Sequence, residues 1–230
     1  MITLRDFWEQ KFATTGQYFF TRVISQRIGA ILAWLGFRLG LSPNAVTVLG
    51  LATMLAGSAC LACAPAGYAY VWASLLLYQL GFGFDCADGQ LARATKRSSR
   101  FGGWLDIAAD HVRQVGILLA IGIVFVRDGH LPTAACALGL LVLGSGQAVS
   151  LHTVAMLKAE AFQPHRLTGA SDRIRRLVKE ISDTPLFLLV IALLAPWPGF
   201  LLAYVFAAGL LYLMQATALA VLRIDQTSTP

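Results

Sequence analysis

Charge is what this sequence has least of. Only 13% of its 230 residues are Asp, Glu, Lys or Arg, where a soluble domain carries about a quarter. Hydrophobic residues make up 57%, and the mean hydropathy is +0.66. That balance excludes an ordinary soluble domain and reads as a polytopic membrane protein, a single domain over residues 1–230. Acids are scarcer than bases, 12 against 18, for a net charge of +6. The bases fall in turns between apolar spans, so they fit the cytoplasmic excess of Lys and Arg and not a nucleic-acid partner. The opening MITLRDFWEQKF is charged and amphipathic, without the apolar core and small-residue cleavage site of a removable signal. Cysteine is rare too: Cys60, Cys63, Cys86 and Cys136. Cys60 and Cys63 form a CxxC, but inside an apolar span with no partner pair, so they read as packing residues. No repeat or low-complexity segment stands out.

What is abundant is apolar helix pattern. Phe20, Ile24, Ile28, Ile31 and Leu35 recur on one face, with Arg22, Ser25 and Gln26 on another and Arg27 at the edge. That is the pattern of a helix lying in the membrane interface. LSPN at 41–44 ends it, because proline disfavours helix in the residue before it and suits a first turn. Spans follow near 45–64, 68–93, 101–127, 132–157, 184–197 and 199–222. Each approaches the length of about 20 residues that crosses hydrocarbon, the fifth being short. The expected fold is therefore all-α and integral to the membrane. A bundle of six transmembrane helices over 45–222 follows an N-terminal interfacial amphipathic helix within 1–40. The connections at 65–67, 128–131 and 196–198 are nearly free of positive charge. Lys96, Arg97 and Arg100 fill the turn at 94–100, while Lys158, Arg166, Arg173, Arg175, Arg176 and Lys179 fill the loop at 158–183. Both termini and these two loops are thus expected on the cytoplasmic side.

Against this background one stretch stands apart, DCADGQLARATKRSSRFGGWLDIAAD at 85–110. Asp85 and Asp88 are three residues apart and Asp106 and Asp110 four apart, so each pair lies on one helix face. Ionisable residues within apolar spans mark function by default. Four facing carboxylates repel unless a cation lies among them, and hard divalent ions such as Mg²⁺ prefer carboxylate and phosphate oxygens. Two such ions about 4 Å apart clamp a phosphate and stabilise its attacking and leaving oxygens. Gly89 leaves room for a substrate at the helix backbone, and Arg93 offers a planar fork to a phosphate or base edge. A phosphorylated substrate at the cytosolic edge is the chemistry implied.

The segment D-x-x-D-G-x-x-A-R, eight residues, then G-x-x-x-D-x-x-x-D resembles the signature of the CDP-alcohol phosphotransferases (CDP-alcohol phosphatidyltransferases). Asp85, Asp88, Gly89, Ala92, Arg93, Gly102, Asp106 and Asp110 fill every defining position. LSPNAVT at 41–47 resembles the family's S/T-P-N-x-x-T at the start of the first span. The resemblance implies transfer of a phosphorylated group from a CDP-linked donor to an acceptor hydroxyl, releasing CMP, in phospholipid synthesis. It implies that Asp85, Asp88 and Asp106 ligate two divalent ions, Mg²⁺ or Mn²⁺, with Asp110 contacting one and acting as general base. Gly89, Arg93, Ser99, Asn44 and Thr47 are implied to contact the cytidine diphosphate. The expected partners are membrane lipids, a donor such as CDP-diacylglycerol and a small alcohol acceptor, in a bacterial inner membrane with the site facing the cytosol. Members of the family are often dimeric, so a homodimer is a candidate assembly.

Other readings remain open at this level. Within the family, a CDP-amino-alcohol is the alternative donor, acting on a lipid hydroxyl. Outside it, the acids suit a structural ion-pair set or the pathway of a cation transporter, although neither needs Gly89, Ala92 and Gly102 at these spacings. Arg113, one turn beyond Asp110, either binds an acidic acceptor or neutralises a carboxylate. His111 and His152 read as packed or hydrogen-bonded. Gln79, Gln114, Gln147 and Ser150 read as interhelical hydrogen-bonding residues or as the lining of an acceptor cavity. Ser99 reads equally as a turn hydroxyl. The loop at 158–183 is expected to be an interfacial amphipathic helix for anionic head groups, or a closure over the acceptor pocket.

Overall fold

The computed structural model describes residues 4–10, 19–64, 67–159 and 183–227. Among these, all regular structure is helical: α1 (Leu4–Gln10), α2 (Gln26–Arg38), α3 (Pro43–Cys63), α4 (Tyr68–Ala94), α5 (Arg100–Asp128), α6 (Thr133–Ala159), α7 (Thr184–Leu194) and α8 (Pro198–Thr227). A π-helical stretch, Thr21–Ser25, leads into α2. Helices stand where each of the six expected spans was read, with ends within a few residues. Four of them, over 43–63, 100–128, 133–153 and 198–220, are long and apolar enough to cross a membrane. α7 has only 11 residues, roughly 16 Å at 1.5 Å per residue, about half a hydrocarbon core. α4 carries Asp85, Asp88, Gln79 and Gln90 and falls outside that group. Its polar residues are explained by its place: it packs against α3 on one side and α2 on the other. Most of the expected loop at 158–183 lies outside the described residues, so the interfacial-helix reading made there has no structural counterpart here.

Helix ends follow local rules. Ser42 caps α3, its hydroxyl accepting from the Ala45 N–H at 3.2 Å, with Pro43 in the first turn. α2 and α4 both end in Schellman turns. In α2 the Leu41 N–H reaches the Gly36 carbonyl at 2.9 Å, with Gly40 at φ +70°. In α4 the Arg97 N–H reaches the Ala92 carbonyl at 2.9 Å, with Lys96 taking the left-handed position at φ +55°.

Two buried clusters hold the bundle together. The larger joins Met54, Leu61, Tyr78, Ile121, Leu143, Phe187, Leu201 and Val205 from α3 to α8. The smaller joins Phe7 and Ala33 to Val46, Ala87 and Leu91, docking α1 and α2 on the end of α4 that carries the acids. The outer surface is apolar as well: Leu119 is 63% exposed, Val126 81% and Phe200 71%. On α5 these residues back a buried face of Ile117, Ile121 and Val124, the pattern of a helix between protein and hydrocarbon.

In α2 the faces are the reverse of a simple hydrophobic reading. Its buried face is polar and small, Gln26, Gly29, Ala30, Ala33 and Gly36, and continues the buried Thr21 and Ser25 of the π-helical stretch. Ile31 and Leu35 point outward. Small residues allow backbones to approach, which drives helix association in an apolar surround where burying Leu or Ile brings no gain. A Cβ on Gly29 would meet the Cys86 Cβ at 2.7 Å and the Gly83 carbonyl oxygen at 3.2 Å. The π-helical stretch is tied to the start of α7. Thr21 donates its backbone N–H at 2.8 Å and its hydroxyl at 2.5 Å to the buried Asp183 carboxylate.

Gly29→Val should therefore lower stability by roughly 1–3 kcal/mol, the usual cost of overpacking a close contact. Thermal unfolding of the purified protein checks this, and an unchanged melting temperature would mean that α2 does not seat against α4 through Gly29.

Candidate active site

α4 and α5 are joined by the basic turn, and Asp85 of α4 comes close to Asp106 and Asp110 of α5. Oxygens of Asp85, Asp106 and Asp110 lie within 4.8 Å of one another. Asp88 is 8% exposed and stands apart from that trio, its Oδ2 accepting from the Thr47 hydroxyl at 2.6 Å. Thr47 comes from the first turns of α3, which lies close to α4 because Gly50 faces Phe84: a Cβ there would sit 3.0 Å from the Phe84 Cβ. Arg113 bridges the two acid pairs, donating to Asp85 Oδ1 at 3.0 Å and pairing with Asp110. Its guanidinium carbon lies 5.9 Å from the centre of the Phe82 ring. Of the two readings for Arg113, neutralising nearby carboxylates is the one the geometry displays.

Two cavities flank this array. The first, about 220 Å³, is walled by Asn44 and Thr47 of α3, Asp88 and Gly89 of α4, Arg97 and Ser99 of the turn, and Gly102 and Asp106 of α5. It is bordered by the first turns of both α3 and α5, whose helix dipoles favour an anion. Ser99 is both wall and cap: its hydroxyl accepts from the Gly102 N–H at 2.9 Å. Gly102 lets Asn44 and Ser99 close in, since a Cβ there would lie 3.1 Å from Asn44 Oδ1. Arg93 does not line this cavity; its guanidinium folds back toward Gly89, where an added Cβ would meet Nη1 at 3.1 Å. Arg97, read from sequence as an orientation signal, does line it, aimed there by the turn at Lys96.

The second cavity, about 230 Å³, lies on the other side of Asp110 and Arg113. α5 supplies Gln114, α6 Gln147 and Ser150, α7 Thr184, and α8 Tyr212 and Gln215. Tyr212, Gln215 and Thr184 were missed from sequence. The spacing of three between Tyr212 and Gln215, one helix face inside an apolar span, was the signal available. Gln79 donates to the Pro185 carbonyl at 3.0 Å, away from either cavity. His111 bonds back to the Ile107 carbonyl at 2.8 Å, and His152 is exposed.

The donor set fits a hard divalent ion. All the ligand atoms of the trio are carboxylate oxygens, the donors that such an ion prefers. The four cysteines are free, and Cys86, between Asp85 and Asp88 on α4, is buried.

Comparison with known proteins agrees with the motif. Residues 40–223 match the family model described as CDP-alcohol phosphatidyltransferase. A phosphatidylinositol phosphate synthase of Streptomyces avermitilis is 32% identical over 160 residues, covering 70% of this chain and 61% of that protein. An archaetidylinositol phosphate synthase of Pyrococcus horikoshii is 36% identical over 104 residues, 43% of this chain and 47% of that one. The matches therefore span less than two thirds of either relative. Crystal structures of Mycobacterium tuberculosis phosphatidylinositol phosphate synthase share the fold. The form with CDP-DAG bound superposes with a TM-score of 0.55 at 22% identity, over 84% of this chain and 91% of that one. The form in complex with manganese and citrate gives 0.58 at 19% identity, over 84% and 88%.

If Ser99 caps α5, Ser99→Ala should cost about 1 kcal/mol of stability and Ser99→Gly only a few tenths. Equal melting temperatures for the two variants would remove the capping role.

Proposed function

Because the chain belongs to the CDP-alcohol phosphatidyltransferase family, we propose that it transfers a phosphatidyl group from a CDP-linked donor, CDP-diacylglycerol, to the hydroxyl of a small polar alcohol, with release of CMP. The observation that carries this reading is one carboxylate array shared by two cavities. The first has the helix N-termini and cations that suit a nucleotide pyrophosphate, and the second has room for the acceptor.

Asp85, Asp88 and Asp106 would hold two divalent ions, with Asp110 contacting one. When bound, Mg²⁺ or Mn²⁺ supplies charge neutralisation for the pyrophosphate and its leaving group. The manganese in the mycobacterial structure supports that choice of metal. Asn44, Thr47, Gly89 and Ser99 would contact the cytidine diphosphate from the cavity wall, with Arg97 beside them. Arg93, folded toward Gly89, would reach the nucleotide from the cavity's edge. Asp110 lines the second cavity and lies close to Asp85 and Asp106, which supports it as the residue that would take the acceptor's proton, within about 3 Å or through one water. The hydroxyl oxygen then forms the new bond to the β-phosphorus as the bond to CMP breaks, in line. The chain's part is positioning: two substrates are held on opposite sides of one set of oxygens.

The topology proposed with this function has six spans over 45–222 and an interfacial N-terminal region within 1–40, all one domain. Both termini and the site face the cytosol of a bacterial inner membrane. Placing the basic turn on the cytosolic face follows the positive-inside tendency. It also puts the first cavity where nucleotides are found.

The test is CMP release from CDP-diacylglycerol by the purified protein. Release should require Mg²⁺ or Mn²⁺ and stop in EDTA. Asp110→Asn should keep near-normal donor binding and lose roughly 10²-fold or more in turnover, the usual range for an absent general base. Turnover equal to the parent would mean Asp110 is not the base, and full activity in EDTA would contradict the metal reading. Topology has its own check. In a background without native cysteines, a cysteine at Ser98 should label from the cytosol and one at Gly129 only from the opposite side. The reverse pattern would contradict a cytosolic site.

A further inference from the structure

A third cavity opens where α2 and α4 end, and the proposed reaction makes no use of it. It measures about 420 Å³ and is lined by Phe37 and Leu41 from the α2 side and by Thr95, Lys96 and Arg97 from the α4 side. Its lining holds two cations and no acid. Among the described residues no acid pairs with either Lys96 or Arg97. The helix ends beside them are satisfied without them. The Gly36 and Ala92 carbonyls accept from the backbone N–H groups of Leu41 and Arg97, and the Thr95 hydroxyl turns back to the Leu91 carbonyl at 2.7 Å. Only the weak dipole attraction links the two cations to those ends. An anion between them relieves their mutual repulsion.

The surroundings select the kind of anion. Ile31, Leu35 and Leu39 recur every fourth residue along one outward side of α2. Leu39, whose neighbour Gly40 lines the cavity, is 74% exposed. Arginines flank that side, each beside an indole ring. The Arg27 guanidinium carbon lies 6.0 Å from the centre of the Trp8 ring, and that of Arg38 lies 5.7 Å from the Trp34 ring. Apolar side chains between Arg–Trp pairs suit the head-group region of a bilayer, where stems lie in hydrocarbon and charges reach the phosphates. A phospholipid of negative charge matches both parts of this surface. Its phosphate meets Lys96 and Arg97, and its chains run along Leu39 and Leu35. A soluble phosphate would use the first part only.

Arg97 lines both this cavity and the first one, where Ser99 and Asp106 accompany it. We infer that the cavity between the ends of α2 and α4 is a regulatory site for an anionic phospholipid, whose phosphate draws Arg97 from the nucleotide cavity and so weakens donor binding. One guanidinium does not give its full charge-assisted bonding to two phosphates at once. Donor binding therefore falls as anionic lipid accumulates around the chain. The coupling through Arg97 rests on the nucleotide reading of the first cavity, whereas the lipid site itself stands on the third cavity alone.

The test places the purified full-length chain in nanodiscs of phosphatidylcholine, with or without phosphatidylglycerol. Calorimetry reads the Kd of CDP with Mg²⁺, and native mass spectrometry reads which lipid each chain retains. Phosphatidylglycerol should raise the Kd of CDP roughly fivefold, the weight of one Lys or Arg contact at an anionic surface. Lys96→Asn removes a charge while suiting the left-handed backbone at φ +55°. That variant should cut the rise to less than about twofold and lose the preferential retention of phosphatidylglycerol. Arg22→Gln removes an exposed charge outside the cavity and should keep the full rise. An equal Kd for CDP in the two bilayers, with the unmodified protein, overturns the inference and needs no variant to fold. A rise that Lys96→Asn retains, or that both variants blunt alike, reflects general surface charge and overturns the assigned site. If soluble glycerophosphoglycerol in phosphatidylcholine nanodiscs reproduces the rise, the occupant is not a lipid. Absence of CDP binding in either bilayer would instead overturn the nucleotide reading of the first cavity. Retention then decides the lipid site: phosphatidylglycerol held by the unmodified chain but not by Lys96→Asn supports it, and equal retention of both lipids overturns it.

Discussion

The structure depends on compensating carboxylates that lie within apolar helices. An isolated ionised acid is strongly disfavoured in hydrocarbon, so each must find a partner or a cation. Here Arg113 bridges Asp85 and Asp110, and Thr47 donates to Asp88. These contacts require α3, α4 and α5 to approach within side-chain reach. Glycine makes that possible: Gly50 and Gly81 admit α3 against α4, where an added Cβ on Gly81 would touch Met54 at 2.7 Å. The acids and the small residues are two halves of one arrangement, the first needing the proximity that the second permits.

That arrangement places a single set of oxygens between two different spaces. One is bordered by helix N-termini and the basic turn, the other by amides and hydroxyls from four helices. A transfer reaction between a charged nucleotide and a neutral hydroxyl needs such asymmetry, because the two substrates must not exchange places. Arg113 lines the second space while pairing with acids that belong to the shared set.

Much of the site was legible because it is local. Asp85, Asp88 and Gly89 share one helix; Gly102, Asp106 and Asp110 share the next, and a short turn fixes how the two meet. Spacing within a helix is readable without knowing the fold, and so were the helical segments, four of which are long and apolar enough to cross a membrane. Thr47 and Asn44 were legible through the Ser-Pro-Asn cap that starts α3. The second cavity was legible only in part: Gln114, Gln147 and Ser150 were read as interhelical bonds or acceptor lining, whereas Thr184 of α7 and Tyr212 and Gln215 of α8 join them only through tertiary packing. The inverted faces of α2 were illegible for a related reason. Hydrophobicity predicts burial in water, but in hydrocarbon it predicts nothing about which face packs, and size decides instead. Asp183 shows the same limit. At the head of α7 it looks like a helix cap, yet its side chain is spent on Thr21, far away in sequence.

The central claim, that the α4 and α5 carboxylates form one divalent-ion site, is tested most directly by counting Mn²⁺ on the purified protein by electron paramagnetic resonance, with and without a CDP-linked donor. The account predicts two ions per chain in the presence of donor, with spin coupling between them, and loss of at least one in Asp85→Asn and in Asp106→Asn. Mn²⁺ binding that is absent, or that survives both substitutions unchanged, would contradict it.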